Sequence, residues 1–117
     1  MINLSIEVLA NELRIFASER DWDQFHSPKN LAMALAVEAS EIMEHFQWLK
    51  EEESASLPPE KLRQVGEEIG DVLIYLTRLA DKLGVNPLQA AFEKLETNRG
   101  KYPIDKTHGS AKKYTEF

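Results

Sequence analysis

The sequence predicts an all-α protein, a bundle of four helices followed by an extended C-terminal tail. Apolar residues recur at three- and four-residue spacing in four separate segments, and strand-type alternation of useful length is lacking. A serine or asparagine followed by proline, the usual start of a helix, stands at two of the segment boundaries. With 117 residues, 43% of them hydrophobic, the chain is expected to form one domain over residues 1–117.

The helices can be placed in order along the chain. The first is predicted over residues 4–20, and Ser27 with Pro28 starts a second that ends near residue 50. A polar loop over residues 51–59 precedes a third helix, which Gly84 terminates. Asn86 with Pro87 starts a fourth helix, and its periodicity stops at Gly100, so the tail over residues 100–117 is expected to be extended.

Charge and composition exclude several classes of protein. The net charge of −6 argues against a general nucleic-acid binder, although residues 94–113 carry a net charge of +4. An acidic body with a basic tail suits a ligand made of metal and phosphate. No cysteine is present, and no segment approaches the roughly 20 apolar residues that span a bilayer. We expect a soluble, cytoplasmic protein that does not bind membranes.

Two carboxylate pairs point to chemistry: Glu38 with Glu41 in the second helix, and Glu68 with Asp71 in the third. Residues three apart project from neighbouring positions on a helix, so each pair can reach one ion. On a helical wheel both pairs lie on one flank of an apolar stripe, and packing stripe against stripe brings the acidic flanks together. Because hard oxygen ligands favour Mg²⁺, or alternatively Mn²⁺, we predict a divalent-metal site.

Two other interpretations compete with this metal site. The acids can belong to a solvated helix face, since the chain has 20 acidic residues, but close carboxylates at the edge of a core repel one another unless protonated, paired or metal-bound. A di-iron bundle needs Glu-x-x-His on two helices, and Ile42 stands three residues before His45, so di-iron chemistry is set aside. Glu44 either orients a water molecule or is an ordinary surface acid.

Aromatic residues accompany the predicted acidic site. Trp22, Trp48 and Tyr75 are candidates for a wall on which a base stacks, whereas Phe25 suits a pocket and a core equally well. His26, beside this aromatic segment, can reach a base edge or a sugar, although a lone histidine is more often structural. Core packing is the alternative for these aromatic residues, and Trp22 and Trp48 favour the pocket because they lie off the apolar stripes.

Polar residues of the last helix suit a phosphate chain. Lys94, Asn98 and Lys101 follow one another at four- and three-residue spacing on one side of this helix and its exit. A solvated basic face is the alternative. We favour phosphate contact, because a phosphate ligand that enters an acidic site needs cationic partners beyond the metal. Arg78 and Arg99 receive no role.

Four short segments add to the acidic motif: RDWDQFH at residues 20–26, FQW at 46–48, DVLIYL at 71–76 and KYTE at 113–116. The motif itself is E-x-x-E at Glu38 and Glu41, followed by E-x-x-D at Glu68 and Asp71. Together they resemble the MazG-like all-α nucleoside triphosphate pyrophosphohydrolases, and within them the dCTP pyrophosphatase group. The resemblance covers most of the chain.

The resemblance implies a MazG-like bundle that hydrolyses dCTP or a modified dCTP to monophosphate and pyrophosphate, with Mg²⁺ held by the four motif acids. It also implies nucleotide contacts from Trp22, Asp23, Gln24, Phe25, His26, Trp48 and Tyr75. A histidine that helps to bind the nucleotide in that group aligns with Leu13 here. The expected mechanism is metal-assisted attack of water on the α-phosphorus, and Glu38 and Glu41 are the candidates for accepting the proton of the water.

Two functional alternatives stay open. One is the same reaction on another nucleotide, such as dUTP, and the other is a non-catalytic helical module whose acids keep it soluble. The expected partners are a nucleoside triphosphate and further copies of the chain. Four short helices bury more apolar surface between subunits than alone, which predicts at least a homodimer, and the resemblance implies a tetramer built from dimers.

Overall fold

A computed structural model describes residues 3–116, and the regular structure in this range is entirely helical. The α-helices are α1 Ile6–Glu19, α2 Pro28–Phe46, α3 Glu51–Ser54, α4 Pro59–Leu83, α5 Pro87–Lys101 and α6 Ile104–Thr107. Short 3₁₀ turns occupy Asp23–Phe25 and Tyr114–Glu116. The predicted all-α class is therefore confirmed. Within residues 3–116 no helix is both long enough and apolar enough to cross a membrane.

Local capping explains where the helices begin and end. The Ser27 hydroxyl accepts the N–H of Asn30 at 3.1 Å, and the Asn86 side chain accepts the N–H of Gln89 at 3.0 Å. A proline follows each of these caps in the first turn, as the sequence predicts. Gly84 closes α4 with a φ of 69°, a left-handed conformation that glycine adopts without a steric penalty.

The region after α2 differs from the prediction. This helix ends at Phe46 rather than near residue 50, and the Leu49 N–H donates to the Phe46 carbonyl at 2.9 Å in a tight turn. The predicted loop then contains α3, whose start is capped because the Glu53 carboxylate accepts the Lys50 N–H at 2.9 Å. Three consecutive glutamates occupy the first turn of α3, where the helix dipole favours negative charge.

The C-terminal tail also has more structure than expected. It contains α6, within which the Thr107 hydroxyl donates to the Pro103 carbonyl at 2.7 Å. Tyr114 meets Tyr102 edge to face, with 6.0 Å between ring centroids, and the Lys101 ammonium lies 4.8 Å from the Tyr114 ring. Aromatic packing therefore orders a segment in which helical periodicity is weak.

The chain forms two compact units, which divide between residues 85 and 86. In the first unit α2 packs along α4, and α1 packs against α4 as well. The Arg14 guanidinium joins these last two helices by donating to the Asp81 carboxylate at 2.7 and 2.5 Å. The second unit contains α5, α6 and the C-terminal turn.

The core of the first unit is small. Among residues 3–85 its buried apolar residues are Ala17, Leu31, Val65 and Ala80. By contrast, four large apolar residues at heptad spacing on α4 remain exposed, and we call them the exposed α4 stripe: Leu62, Ile69, Leu76 and Leu83. A single chain therefore buries only part of the apolar surface of its longest helix.

Candidate active site

Three carboxylates meet where α2 packs against α4. Glu38 and Glu41, three residues apart on α2, project toward the same side, and Glu68 faces them from α4. One oxygen from each of the three lies within 4.8 Å of the others. We call this group the acidic cluster. All of its potential ligand atoms are carboxylate oxygens, and the three side chains are only partly exposed.

Two oxygens of the acidic cluster lack the partners that burial normally requires. Glu38 Oε2 and Glu68 Oε2 are buried without a hydrogen-bond partner among residues 3–116. The nearest cationic candidate is His45, whose Nε2 lies 3.9 Å from Glu68 Oε1, which is too far for a hydrogen bond. The cluster is thus a concentration of negative charge that the described side chains do not neutralise.

Crowding changes the acidity of the cluster. A hydrogen bond with Glu41, together with burial and repulsion from Glu41, Glu38 and Asp71, raises the pKa of Glu68 to about 7. Burial, followed by a hydrogen bond and repulsion from Glu41, raises the pKa of Glu38. Protonation, or a bound cation, is what such a group of carboxylates needs.

We expect the stability of the metal-free protein to depend on pH through Glu68. The folded pKa of about 7 lies above the ordinary value of 4.5, so the folded state binds the proton more tightly. This contribution to stability is fully present below about pH 4.5 and is lost as the pH rises through about 7. Melting temperatures measured in EDTA should therefore fall over this window. Glu68→Gln should flatten the profile, and an unchanged slope in that variant would contradict the prediction.

Asp71 lies one turn beyond Glu68 on α4 and has a different environment. It is exposed, its oxygens are not part of the close group of three, and its charge contributes to the raised pKa of both Glu38 and Glu68. It also lines a neighbouring cavity. Asp71 therefore connects the acidic cluster with that cavity.

The cavity has a volume of about 270 Å³ and lies between α1, the turn after it and α4. Its lining residues are Leu13, Phe16, Trp22, His26, Asp71, Ile74, Tyr75 and Arg78. Small-molecule pockets are commonly apolar clefts with a few placed polar groups, and this lining has that character. A planar ring fits such an environment better than a phosphate chain does.

Trp22 forms an aromatic wall of this cavity. Its ring meets Phe16 at 5.6 Å and an interplanar angle of 72°, and His26 at 6.4 Å and 63°. Edge-to-face contacts of this kind hold the indole in place. Since 44% of Trp22 remains exposed, its ring is available to a ligand.

A polar network supports the floor of the cavity. Arg78, on α4, donates from Nη2 to Asp23 Oδ1 at 2.5 Å and from Nε to His26 Nδ1 at 3.2 Å. Lys82 Nζ donates to the same Asp23 oxygen at 2.6 Å. The Lys82 hydrogen bond, with the charges of Lys82 and Arg78, lowers the pKa of Asp23. The network fixes the turn after α1 to α4.

Several residues predicted to contact a nucleotide do not line this cavity. Asp23 instead binds Arg78 and Lys82, and the Gln24 amide donates to the Asp21 carbonyl at 3.0 Å. Phe25 is 60% exposed, which fits neither a core position nor this cavity, and Trp48, in the turn after α2, is 86% exposed. Nucleotide contact by these four residues stays a prediction.

The predicted phosphate ligands Lys94, Asn98 and Lys101 all lie on α5, in the second unit. Lys101 is near Tyr114, as described above. Phosphate contact by these three residues also stays a prediction.

Arg78 has hydrogen-bond partners that the sequence did not indicate. Its partners His26 and Asp23 lie 52 and 55 residues earlier, so no local sequence pattern indicates these hydrogen bonds. A usable signal existed, because Arg78 follows Asp71 by seven residues and Tyr75 by three, which places all three on one side of α4. Phe16 and Ile74 also line the cavity, which the sequence did not indicate.

The chain is similar to known proteins in sequence and in fold. The model of the MazG-like family matches residues 33–117. The chain is 47% identical to dCTP pyrophosphatase 1 of Mus musculus and 43% identical to that of Homo sapiens, over 104 residues in each case, which is 87% of this chain and 61% of each relative. It thus spans about three fifths of the length of these relatives. A crystal structure of a pyrophosphatase from Archaeoglobus fulgidus is similar with a TM-score of 0.79 and 39% identity, covering 88% of this chain and 99% of that one.

Proposed function

We propose that this chain, which belongs to the MazG-like family, hydrolyses a nucleoside triphosphate to a monophosphate and pyrophosphate. The preferred substrate is dCTP or a modified dCTP, and the expected role is to clear such nucleotides from the precursor pool. The observation that carries the proposal is the position of Asp71, which lines the aromatic cavity and acts electrostatically on the acidic cluster. A base site and a metal site are thereby adjacent.

The acidic cluster fits a divalent cation. Three carboxylate oxygens lie within 4.8 Å of one another, and the buried Glu38 Oε2 and Glu68 Oε2 have no hydrogen-bond partner among residues 3–116. Glu38, Glu41, Glu68 and Asp71 would hold Mg²⁺, or alternatively Mn²⁺, because hard oxygen donors suit these ions. When bound, the ion supplies charge neutralisation for the phosphates and lowers the pKa of water.

The side chains divide the remaining work. Trp22 and Tyr75 hold the base, and Asp71 places the nucleoside end of the substrate beside the acidic cluster. The α-phosphorus is then the phosphorus nearest the carboxylates. A carboxylate of α2, Glu38 or Glu41, accepts the proton as water attacks in line and pyrophosphate leaves. Lys94, Asn98 and Lys101 are the proposed contacts of the outer phosphates.

The names of the relatives support cytosine as the base. Both mammalian proteins are dCTP pyrophosphatases, and residues 20–26 and 71–76, which carry the resemblance to that group, supply Trp22, His26 and Tyr75 to the cavity. Leu13, where that group has a histidine, gives one side of the cavity an apolar surface here. Base preference therefore depends on the polar groups that remain, chiefly on α4 and the turn after α1.

A substrate screen with a positional label tests the proposal. Pyrophosphate release with Mg²⁺ should be measured for dCTP, dTTP, dUTP, dATP, dGTP and the ribonucleotides, and dCTP should turn over fastest. In ¹⁸O-labelled water the label should appear in the nucleoside monophosphate. Label in pyrophosphate, or release of orthophosphate, would reject attack at the α-phosphorus. Failure to turn over any nucleotide would favour a non-catalytic interaction module.

We expect a homo-oligomer, a dimer or a tetramer, because the exposed α4 stripe is too large an apolar surface for one chain to leave in water. Its members Leu62, Ile69 and Leu83 are 59%, 55% and 57% exposed. Light scattering at micromolar concentration should give at least twice the monomer mass of 13.4 kDa. The double variant Ile69→Lys with Leu76→Lys should shift the protein toward monomer, and a fully active wild-type monomer would contradict this prediction.

A further inference from the structure

Arg78, on α4, is unusual among charged residues because its guanidinium is almost completely buried. The residue is 5% exposed, and burial of this kind requires satisfied hydrogen bonds. Those bonds go to Asp23 at 2.5 Å and to His26 at 3.2 Å, and Asp81 lies 3.7 Å from the remaining terminal nitrogen. The donors of Arg78 are thus directed at protein groups, although the residue borders the cavity.

The hydrogen bond to His26 determines where the proton on its imidazole lies. An arginine stays protonated in proteins, so Nε is always a donor. The ring nitrogen that accepts from it, Nδ1, must carry a lone pair. In neutral imidazole the proton then resides on Nε2, which becomes the donor that His26 has left for a ligand.

The surroundings of His26 favour the neutral ring. Burial lowers the pKa of His26, the positive charges of Arg78 and Lys82 lower it further, and Asp23 acts in the opposite direction. At neutral pH the ring is therefore a single-proton donor. The cavity wall formed by Leu13, on α1, offers no hydrogen-bonding side chain.

We propose, resting on the proposed function, that Arg78 is a positioning residue that holds His26 as a neutral Nε2–H donor to an acceptor atom on the base. A pyrimidine carbonyl oxygen or an unprotonated ring nitrogen supplies such an acceptor. His26 touches the base, and Arg78 acts only through it. The pair therefore selects bases with an acceptor at this edge.

Nitrogen NMR of the ligand-free full chain tests the tautomer directly. The protein has three histidines, so the spectrum of ¹⁵N-histidine protein at pH 7.5 can be assigned with His26→Gln. We expect His26 to show a protonated Nε2 and an unprotonated Nδ1. In Arg78→Met the ring should become a mixture of both tautomers. A proton on Nδ1 in the wild-type protein would overturn the inference, whether or not the Arg78 variant folds.

Lys82→Met is the matched control, because Lys82 binds Asp23 at 2.6 Å but makes no hydrogen bond to His26 within residues 3–116. This variant should keep the Nε2–H tautomer. If it redistributes the proton as strongly as Arg78→Met does, the network as a whole, rather than the Arg78 bond, sets the tautomer and the inference fails.

Kinetics test whether Arg78 acts through His26. His26→Ala and Arg78→Met should each raise KM for dCTP by about three- to tenfold, the scale of one hydrogen bond, with kcat changed less than about threefold. The double variant should be no worse than His26→Ala alone, and additive losses would overturn the inference. His26→Gln, whose amide can replace the Nε2–H donor, should restore most of the affinity.

The two levels of the proposal fail separately. A protonated Nε2 together with no turnover of any nucleotide would reject the proposed function alone. Normal turnover of dCTP together with a protonated Nδ1 would reject the inference about Arg78 alone.

Discussion

Glu68→Gln should lower turnover by more than about a hundredfold while the helical fold survives, the scale on which loss of one charge-stabilising group lowers kcat. Glu68 is the α4 member of the acidic cluster, and one of its oxygens is buried without a partner among the described residues. Glutamine keeps the shape of the side chain and removes the charge that a divalent cation needs. Glu38→Gln, Glu41→Gln and Asp71→Asn should each have a loss of similar size.

Melting temperatures with and without Mg²⁺ distinguish a metal site from a group of acids with a structural role only. Removing a carboxylate from the acidic cluster relieves repulsion, so Glu68→Gln should melt no lower than the wild-type protein in EDTA. Mg²⁺ should raise the melting temperature of the wild-type protein and leave that of the variant nearly unchanged. Glu67→Gln is the matched control, because Glu67 is exposed and pairs with Arg63 outside the cluster. Near-full activity in any two of the three cluster variants and Asp71→Asn would reject the metal site.

Trp22→Ala should raise KM for the preferred nucleotide by roughly tenfold. Base–aromatic stacking contributes about 1–3 kcal/mol by alanine substitution, and about 1.4 kcal/mol corresponds to a factor of ten. The indole lines the cavity, and its edge-to-face contacts with Phe16 and His26 hold it before the ligand arrives. The change should fall on KM more than on kcat, because Trp22 is not a member of the acidic cluster.

Trp48→Ala provides the comparison for Trp22. Trp48 is the second tryptophan of the chain, is 86% exposed and does not line the cavity, so its loss should raise KM less. Fluorescence gives a second readout: nucleotide and Mg²⁺ added to Glu68→Gln should change the emission of Trp22, and Trp22→Ala should abolish most of that change. Equal kinetic effects of the two tryptophans would contradict the assignment of Trp22 as the stacking wall.

Helix starts were predictable because their causes are local. The Ser27 and Asn86 caps each need only residues up to three positions away, and the sequence shows them directly. The end of α2 depends on the turn at residues 47–49, in which apolar residues continue the helical pattern although the backbone leaves it. Periodicity alone therefore placed that end four residues too late, near residue 50 instead of at Phe46.

The acidic cluster was predictable for a different reason. A helical wheel places Glu38, Glu41 and Glu68 on matching flanks of two apolar stripes, and the observed packing of α2 against α4 brings them together. The Arg78 network depends on contacts between residues more than 50 positions apart, which no wheel of a single helix contains. The high exposure of Trp48 was not predictable either, since spacing did not show that α2 ends before this residue.

The continuous helix α4 fixes the distance between the acidic cluster and the far side of the cavity. Glu68 and Arg78 stand ten residues apart on it, which is about 15 Å at the rise of an α-helix. In the proposed function, the acidic cluster and the residues that border the base therefore cannot move independently along this axis. A wider cavity for a larger base would require α1 to move away from α4. The hydrogen bonds from Arg14 to Asp81 and the burial of Ala17, which is 1% exposed, oppose that movement. If the cavity holds the base as proposed, we expect discrimination between pyrimidines and purines to depend on the distance between α1 and α4.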